Sequence, residues 1–218
     1  MLKTCKLHII GLALALTAIF SGCKPETGDT IILVGEETAF MTVKELMNED
    51  LNDAQQNAFL SKLPDLSDNT DVLPPDIMGE YKISPKQFVE SNIGFDFFSD
   101  DHDVLLRVFN QQNRLAQVDF FESGVSRIDD AYVIGEGNFF TLYFTEEREI
   151  EFMGVAYSYE RLIVITGEKV TEGIRNLRFG NIILNVENGI DPLVGDFEPG
   201  WFFIYKDADG LSEKGHWF

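Results

Sequence analysis

The sequence predicts an all-β domain, a mainly antiparallel meander over residues 76–218, preceded by a short helical extension. Two observations carry this expectation. From Gly79 onward, apolar residues alternate with polar ones in runs of strand length, as in Val104, Leu106 and Val108 or Phe140, Leu142 and Phe144. Between the runs lie Gly, Asn, Asp and Ser clusters of hairpin length, the texture of a barrel or sandwich.

The elements follow in chain order. Residues 23–41 read as a tether punctuated by Pro25, Gly28 and Gly35, with Ile31 to Val34 as a short apolar run. Residues 42–75 predict two short helices and a loop. Thr42 and Glu45 have the spacing of a capping box, Asn52 and Gln55 repeat it, and Pro64 stops the second helix. These helices are expected to cover an open end of the following domain or to form a neck. Asp65 to Pro75 is the candidate boundary.

Strands are then expected at Tyr81–Ser84, Val104–Val108, Leu115–Phe121, Tyr132–Ile134, Phe140–Phe144, Ile150–Phe152, Leu162–Ile165, Leu177–Val186 and Trp201–Tyr205. Turns are expected at Asn110–Asn113, Glu122–Gly124, Gly135–Asn138, Glu146–Arg148, Gly167–Glu168, Asn188–Gly189 and Asp207–Gly210. A meander of this size tends to close or stack, because free edges invite pairing with other chains. A barrel is favoured, with a β-sandwich as the alternative.

Gly79-Glu80-Tyr81 at the first strand resembles the Gly-x-Trp opening of lipocalin and calycin barrels, with Tyr81 in the aromatic place. The resemblance implies a barrel closed at one end, with a cation packed across the aromatic; Lys206 is its candidate.

The N terminus predicts location. Lys3 and Lys6 precede an apolar run from Ile9 to Phe20 that is short for a bilayer span, and Ser21-Gly22-Cys23 follows. This segment resembles the lipobox signal of bacterial lipoproteins. The resemblance implies removal of residues 1–22 and acylation of Cys23, which would anchor the protein in the cell envelope. Lys24 in place of aspartate favours the outer membrane. Cys5 would leave with the signal, so the mature chain has no thiol for a disulfide, a metal or a nucleophile.

Maturation would leave 196 of 218 residues. The 17 basic residues lose Lys3 and Lys6, leaving 15 against 37 acidic ones, a net charge of −22. Such a surface disfavours nucleic acid. No Gly-x-Ser-x-Gly, His-Glu-x-x-His or phosphate-binding glycine loop is present, and His102 and His216 have no evident triad partner.

The chemistry-bearing candidates are few. Ser99 to Asp103 is a dense polar cluster that reads best as a solvated turn. Asp207, Asp209 and Glu213 have part of a calcium-loop pattern, so calcium is the one possible cofactor. Glu149 and Glu151 share a strand face, the minimal requirement for carboxylate catalysis. Phe139, Tyr143, Tyr157, Tyr159, Trp201 and Tyr205 lie on strands and are candidates to line a ligand concavity. The expected function is non-enzymatic: a lipid-anchored cell-envelope protein binding a small apolar or glycan-like ligand. The alternative is a structural or assembly partner of an envelope complex, without a cavity.

Overall fold

The computed structural model describes residues 41–217, except 48–49, 65, 68–69, 95–102, 123, 153–154, 188–189, 192–194 and 197. Residues 41–218 form one compact unit. Cys23, the tether up to residue 40 and Ser99 to His102 lie outside the described residues.

Two helices open the unit, α1 (Val43–Met47) and α2 (Asp53–Leu60). Both capping boxes form. The Thr42 N–H donates to the Glu45 carboxylate at 2.7 Å, and the Glu45 N–H donates back to Thr42 Oγ1 at 3.3 Å. Asn52 Oδ1 accepts from the N–H groups of Ala54 and Gln55 at 3.0 and 3.1 Å, and Gln55 Oε1 accepts from the Asn52 N–H at 3.0 Å. Helices this short are held by packing more than by propensity. Val43, Met47, Leu51, Phe59 and Leu63 are buried.

Twelve strands follow among the described residues: β1 (Gly79–Ile83), β2 (Lys86–Ser91), β3 (Val104–Gln112), β4 (Leu115–Phe121), β5 (Val125–Glu136), β6 (Phe139–Phe152), β7 (Val155–Lys169), β8 (Gly173–Glu187), β9 (Ile190–Asp191), β10 (Gly195–Asp196), β11 (Phe202–Asp207) and β12 (Leu211–Gly215). Ten of them make one antiparallel sheet, and β9 and β10 pair separately. The all-β expectation therefore holds.

The sheet is ring-like and not a barrel. β12 joins it to itself, pairing with β1 at Glu80, Tyr81 and Lys82 and with β8 at Gly173, Ile174 and Arg175. Further along, β8 turns to a different partner, pairing residues 178–182 with β11, which carries β2. This fork leaves β2 and β11 outside the closed cycle, so the regular lipocalin-like barrel expected from the sequence is not formed. Gly173 makes the closure possible, since a Cβ there would sit 2.1 Å from the Ser212 carbonyl oxygen.

Alternation divides each strand between two environments. Leu106, Val118, Phe120, Val133, Phe140, Leu142, Phe144, Ile163, Ile165, Phe179, Phe203 and Tyr205 belong to one buried cluster that fills the ring. The opposite face of β7, β8 and β11 is covered by the helical segment. The Phe59 ring lies 5.8 Å from that of Phe202, and a Cβ on Gly180 would come within 2.7 Å of the Phe59 ring. Thr166 Oγ1 donates to the Pro64 carbonyl at 3.4 Å, and Tyr143 OH to that of Met41 at 2.8 Å. The helices thus cover a sheet face, neither an open end nor a neck, and Asp65 to Pro75 separates no domains.

Two expected turns are strand interior. Glu146, Glu147 and Arg148 lie within β6, opposite Arg161, Glu160 and Tyr159. Gly167 and Glu168 lie within β7, where the register with β8 shifts between Thr166 and Glu168. A Cβ on Gly167 would meet Ile174 Cγ2 at 2.5 Å, so the glycine marks an irregularity under close packing. The cation over Tyr81 is Lys169 on β7, not Lys206. Its Nζ lies 4.9 Å from the ring centroid and donates to Tyr81 OH at 2.8 Å, and the hydroxyl donates to the Ile77 carbonyl at 2.8 Å.

Candidate functional site

The ring interior changes character along its length. Past Phe144 on β6 the same inward positions hold Glu146 and Arg148, and before Ile163 on β7 they hold Arg161 and Tyr159. Arg161 is 1% exposed, which demands full compensation for its charge. Its Nε and Nη2 donate to Glu146 Oε2 at 3.0 and 2.8 Å, and its Nη1 donates to Glu122 Oε2 at 2.8 Å. Burial alone would lower the Arg161 pKa; the Glu122 and Glu146 carboxylates outweigh that and hold it above the ordinary arginine value.

Further groups complete the cluster. Arg148 Nε reaches Glu146 Oε1 at 2.5 Å, and Ser126 Oγ donates to the same oxygen. Lys86 Nζ stands 3.9 Å from Glu122 Oε1 and 4.8 Å from the Tyr205 ring centroid. Asp207 lies across the β2–β11 pairing from Lys86. Its Oδ2 accepts from Ser212 Oγ at 2.6 Å, and burial, with Asp209 nearby, pushes its pKa up to about 6. Several buried atoms here have no hydrogen-bond partner: Glu122 Oε1, Arg148 Nη2, Asp207 Oδ1 and both amide atoms of Asn181.

A second feature lies on the covered face of the sheet. A half-open cleft of about 670 Å³ separates the helical segment from β5. Val43, Leu60, Leu66 and Ile134 form its apolar wall, and Thr42, Asn57 and Ser61 supply polar groups, with Lys44 beside them. This size and mixture match small-molecule sites, which are mainly apolar with a few placed polar groups.

The residues expected to form one aromatic concavity are dispersed. Phe139 is half-exposed at the β5–β6 hairpin. Tyr143 is buried on the helix-covered face, stacked on Tyr132 with centroids 5.5 Å apart. Tyr205 is packed inside the ring, stacked on Phe179 at 5.0 Å. Tyr159 and Trp201 share a small cluster with Ile183 at the polar end of the interior, and Trp201 also packs against the large cluster that holds Tyr205. The side chain of Tyr157 lies outside the described atoms.

Of the calcium candidates, Asp207 is buried against Ser212 with the Asp209 carboxylate beside it, exposed Asp209 also accepts from the Leu211 N–H at 3.0 Å in the hairpin turn, and Glu213 is exposed on β12. Among the described residues, no three His, Cys, Asp or Glu side chains are grouped to hold a metal. Glu149 is exposed, while the Glu151 side chain lies outside the described atoms. Asp103, the described end of the polar cluster, is tied to Lys82 at 2.6 Å and to Ser84. No helix among the described residues is long and apolar enough to cross a membrane.

No known protein family, curated protein or solved structure matches this chain. Sequence reasoning missed Lys86, Glu122, Glu146, Arg148, Arg161 and Asn181. The signal was present for two of them: Glu146 and Arg148 extend the Phe140, Leu142, Phe144 alternation by four residues.

Proposed function

We propose that this protein is a non-enzymatic, lipid-anchored binding protein of the cell envelope, carried by acyl chains on Cys23. Its ligand is a small, mainly apolar molecule with a polar end. The observation that supports this reading is the cleft between the helical segment and β5. Its apolar wall of Val43, Leu60, Leu66 and Ile134 offers burial, and Thr42, Asn57 and Ser61 offer hydrogen bonds for the polar end. This reading sets the ligand outside the ring, whose interior is packed with side chains.

The alternative of an envelope assembly partner draws support from that same packing and from the exposed Leu73 and Val125. Native mass spectrometry of the full-length protein, gently extracted from its host membrane, separates the two readings. A co-purifying small molecule that leaves on denaturation supports the binding protein. A bare protein mass favours the assembly partner.

A further inference from the structure

The fork in the sheet opens a second cleft. β8 leaves β12 at Arg175 and joins β11 at Arg178. Between them Asn176 takes a left-handed backbone, with φ 53°, and its N–H donates to the Gly210 carbonyl at 3.0 Å. A half-open cleft of about 320 Å³ lies there, bordered by Pro64 after α2. Arg178, Lys206, Asp207 and Asp209 all line it.

The charges in this cleft are sorted like with like. Arg178 and Lys206 stand directly opposite each other across β8 and β11. Side chains so placed start about 5 Å apart, and like charges there repel. Their neighbours in the same row, Thr166 on β7 and Gln87 on β2, carry no charge to offset them. Both cations are half-buried, and among the described residues neither has an ion pair or a hydrogen bond. Other cations of the sheet are matched, Lys82 by Asp103, Arg107 and Arg127 by Asp119, and Arg175 by Glu168. The carboxylates of the cleft are adjacent in the same way. Asp207 is 4% exposed, its Oδ1 has no hydrogen-bond partner, and burial with the Asp209 carboxylate beside it raises its pKa. Among the described residues, no ion pair joins either carboxylate to Arg178 or Lys206.

Two cations and two carboxylates balance, so a guest with a net charge would unbalance a partly buried site. A guest with one positive and one negative end keeps the balance and gives each like-charged pair an opposite partner. We infer that the fork cleft is a second binding site, lined by other residues than the cleft against β5, for a small zwitterion of the amino-acid class. Its carboxylate lies between Arg178, whose guanidinium presents paired N–H donors, and Lys206. Its ammonium lies against the carboxylates of Asp207 and Asp209.

The test is saturation-transfer NMR on the full-length protein in a detergent with an uncharged headgroup. Glycine and 4-aminobutyrate serve as short and long probes, and butyrate and butylamine as the two halves of the longer one. The expected result is saturable transfer to at least one zwitterion with a millimolar dissociation constant, and about tenfold or weaker binding of either half. Lys206→Gln and Asp209→Asn should each weaken binding about tenfold or more, because each removes one charged partner. Both variants should fold with melting temperatures no lower than wild type. Each relieves a like-charge contact, and the asparagine retains an oxygen for the Leu211 N–H. Absence of transfer to both zwitterions up to about 50 mM, well above the range expected for so small a guest, would overturn the inference. So would a half that binds as tightly as the whole zwitterion, or undiminished transfer in both variants.

Discussion

Replacing Arg161 by Met tests whether the ionic cluster is a buried, mutually dependent unit. The methionine fits the arginine stem but removes three hydrogen bonds, those to Glu146 Oε2 at 3.0 and 2.8 Å and to Glu122 Oε2 at 2.8 Å. Both carboxylates are about 95% buried or more, so each is left as a charge without its main partner. Breaking a buried ion pair from one side costs about 3–5 kcal/mol. For a unit of this size that corresponds to a melting temperature lower by about 6–20 °C. Urea unfolding of wild type and Arg161→Met, followed by tryptophan fluorescence, measures the cost. A cost under about 1 kcal/mol would refute the reasoning, since surface pairs behave that way.

Three further outcomes follow from the same structure. Phe59→Ala should cost about 3–5 kcal/mol, because the ring fills the space over Gly180 against Phe202, and limited proteolysis should then cut within residues 41–63. Asp207→Asn should raise stability at neutral pH by about 1–2 kcal/mol after allowance for solvent screening. The carboxyl's folded pKa is raised from 3.8 to about 6, so wild type loses this contribution as pH rises through that window, and the difference between the two unfolding curves should open across it. Intact mass analysis of the membrane-extracted protein should show residues 23–218 plus acyl chains, and Cys23→Ser should release the protein from the membrane; an unmodified N terminus would contradict the anchor.

The legible parts of this chain were those governed by local rules. Thr42, Glu45, Asn52 and Gln55 announced both helix starts because a capping box is a contact within four residues. Alternation at Val104–Val108 and Phe140–Phe144 announced strands for the same reason. What failed depended on distant partners. Glu146-Glu147-Arg148 reads as a turn because charged residues usually mark solvent, yet Arg161, fifteen residues away, buries Glu146 in a strand. Lys86–Ser91 lacks a clear apolar face and becomes a strand only because β11 pairs with it. The closure was equally hidden: Leu211–Gly215 is too polar to read as a strand, and its place is set by β1 and β8 on either side. The cleft could not be read at all, because it exists only where two helices lie on a sheet face that alternation alone cannot tell from a solvated one.

The most direct test of the proposed binding role is to compare the ligand occupancy of wild type and Ser61→Trp by native mass spectrometry after identical gentle extraction. Ser61 lines the cleft and is exposed, so the indole would fill the space without unpacking the core. A cleft ligand predicts a co-purifying mass on wild type and at least about a tenfold loss of it in Ser61→Trp. An equal bound mass on both proteins, or none on wild type, would contradict the cleft as the binding site.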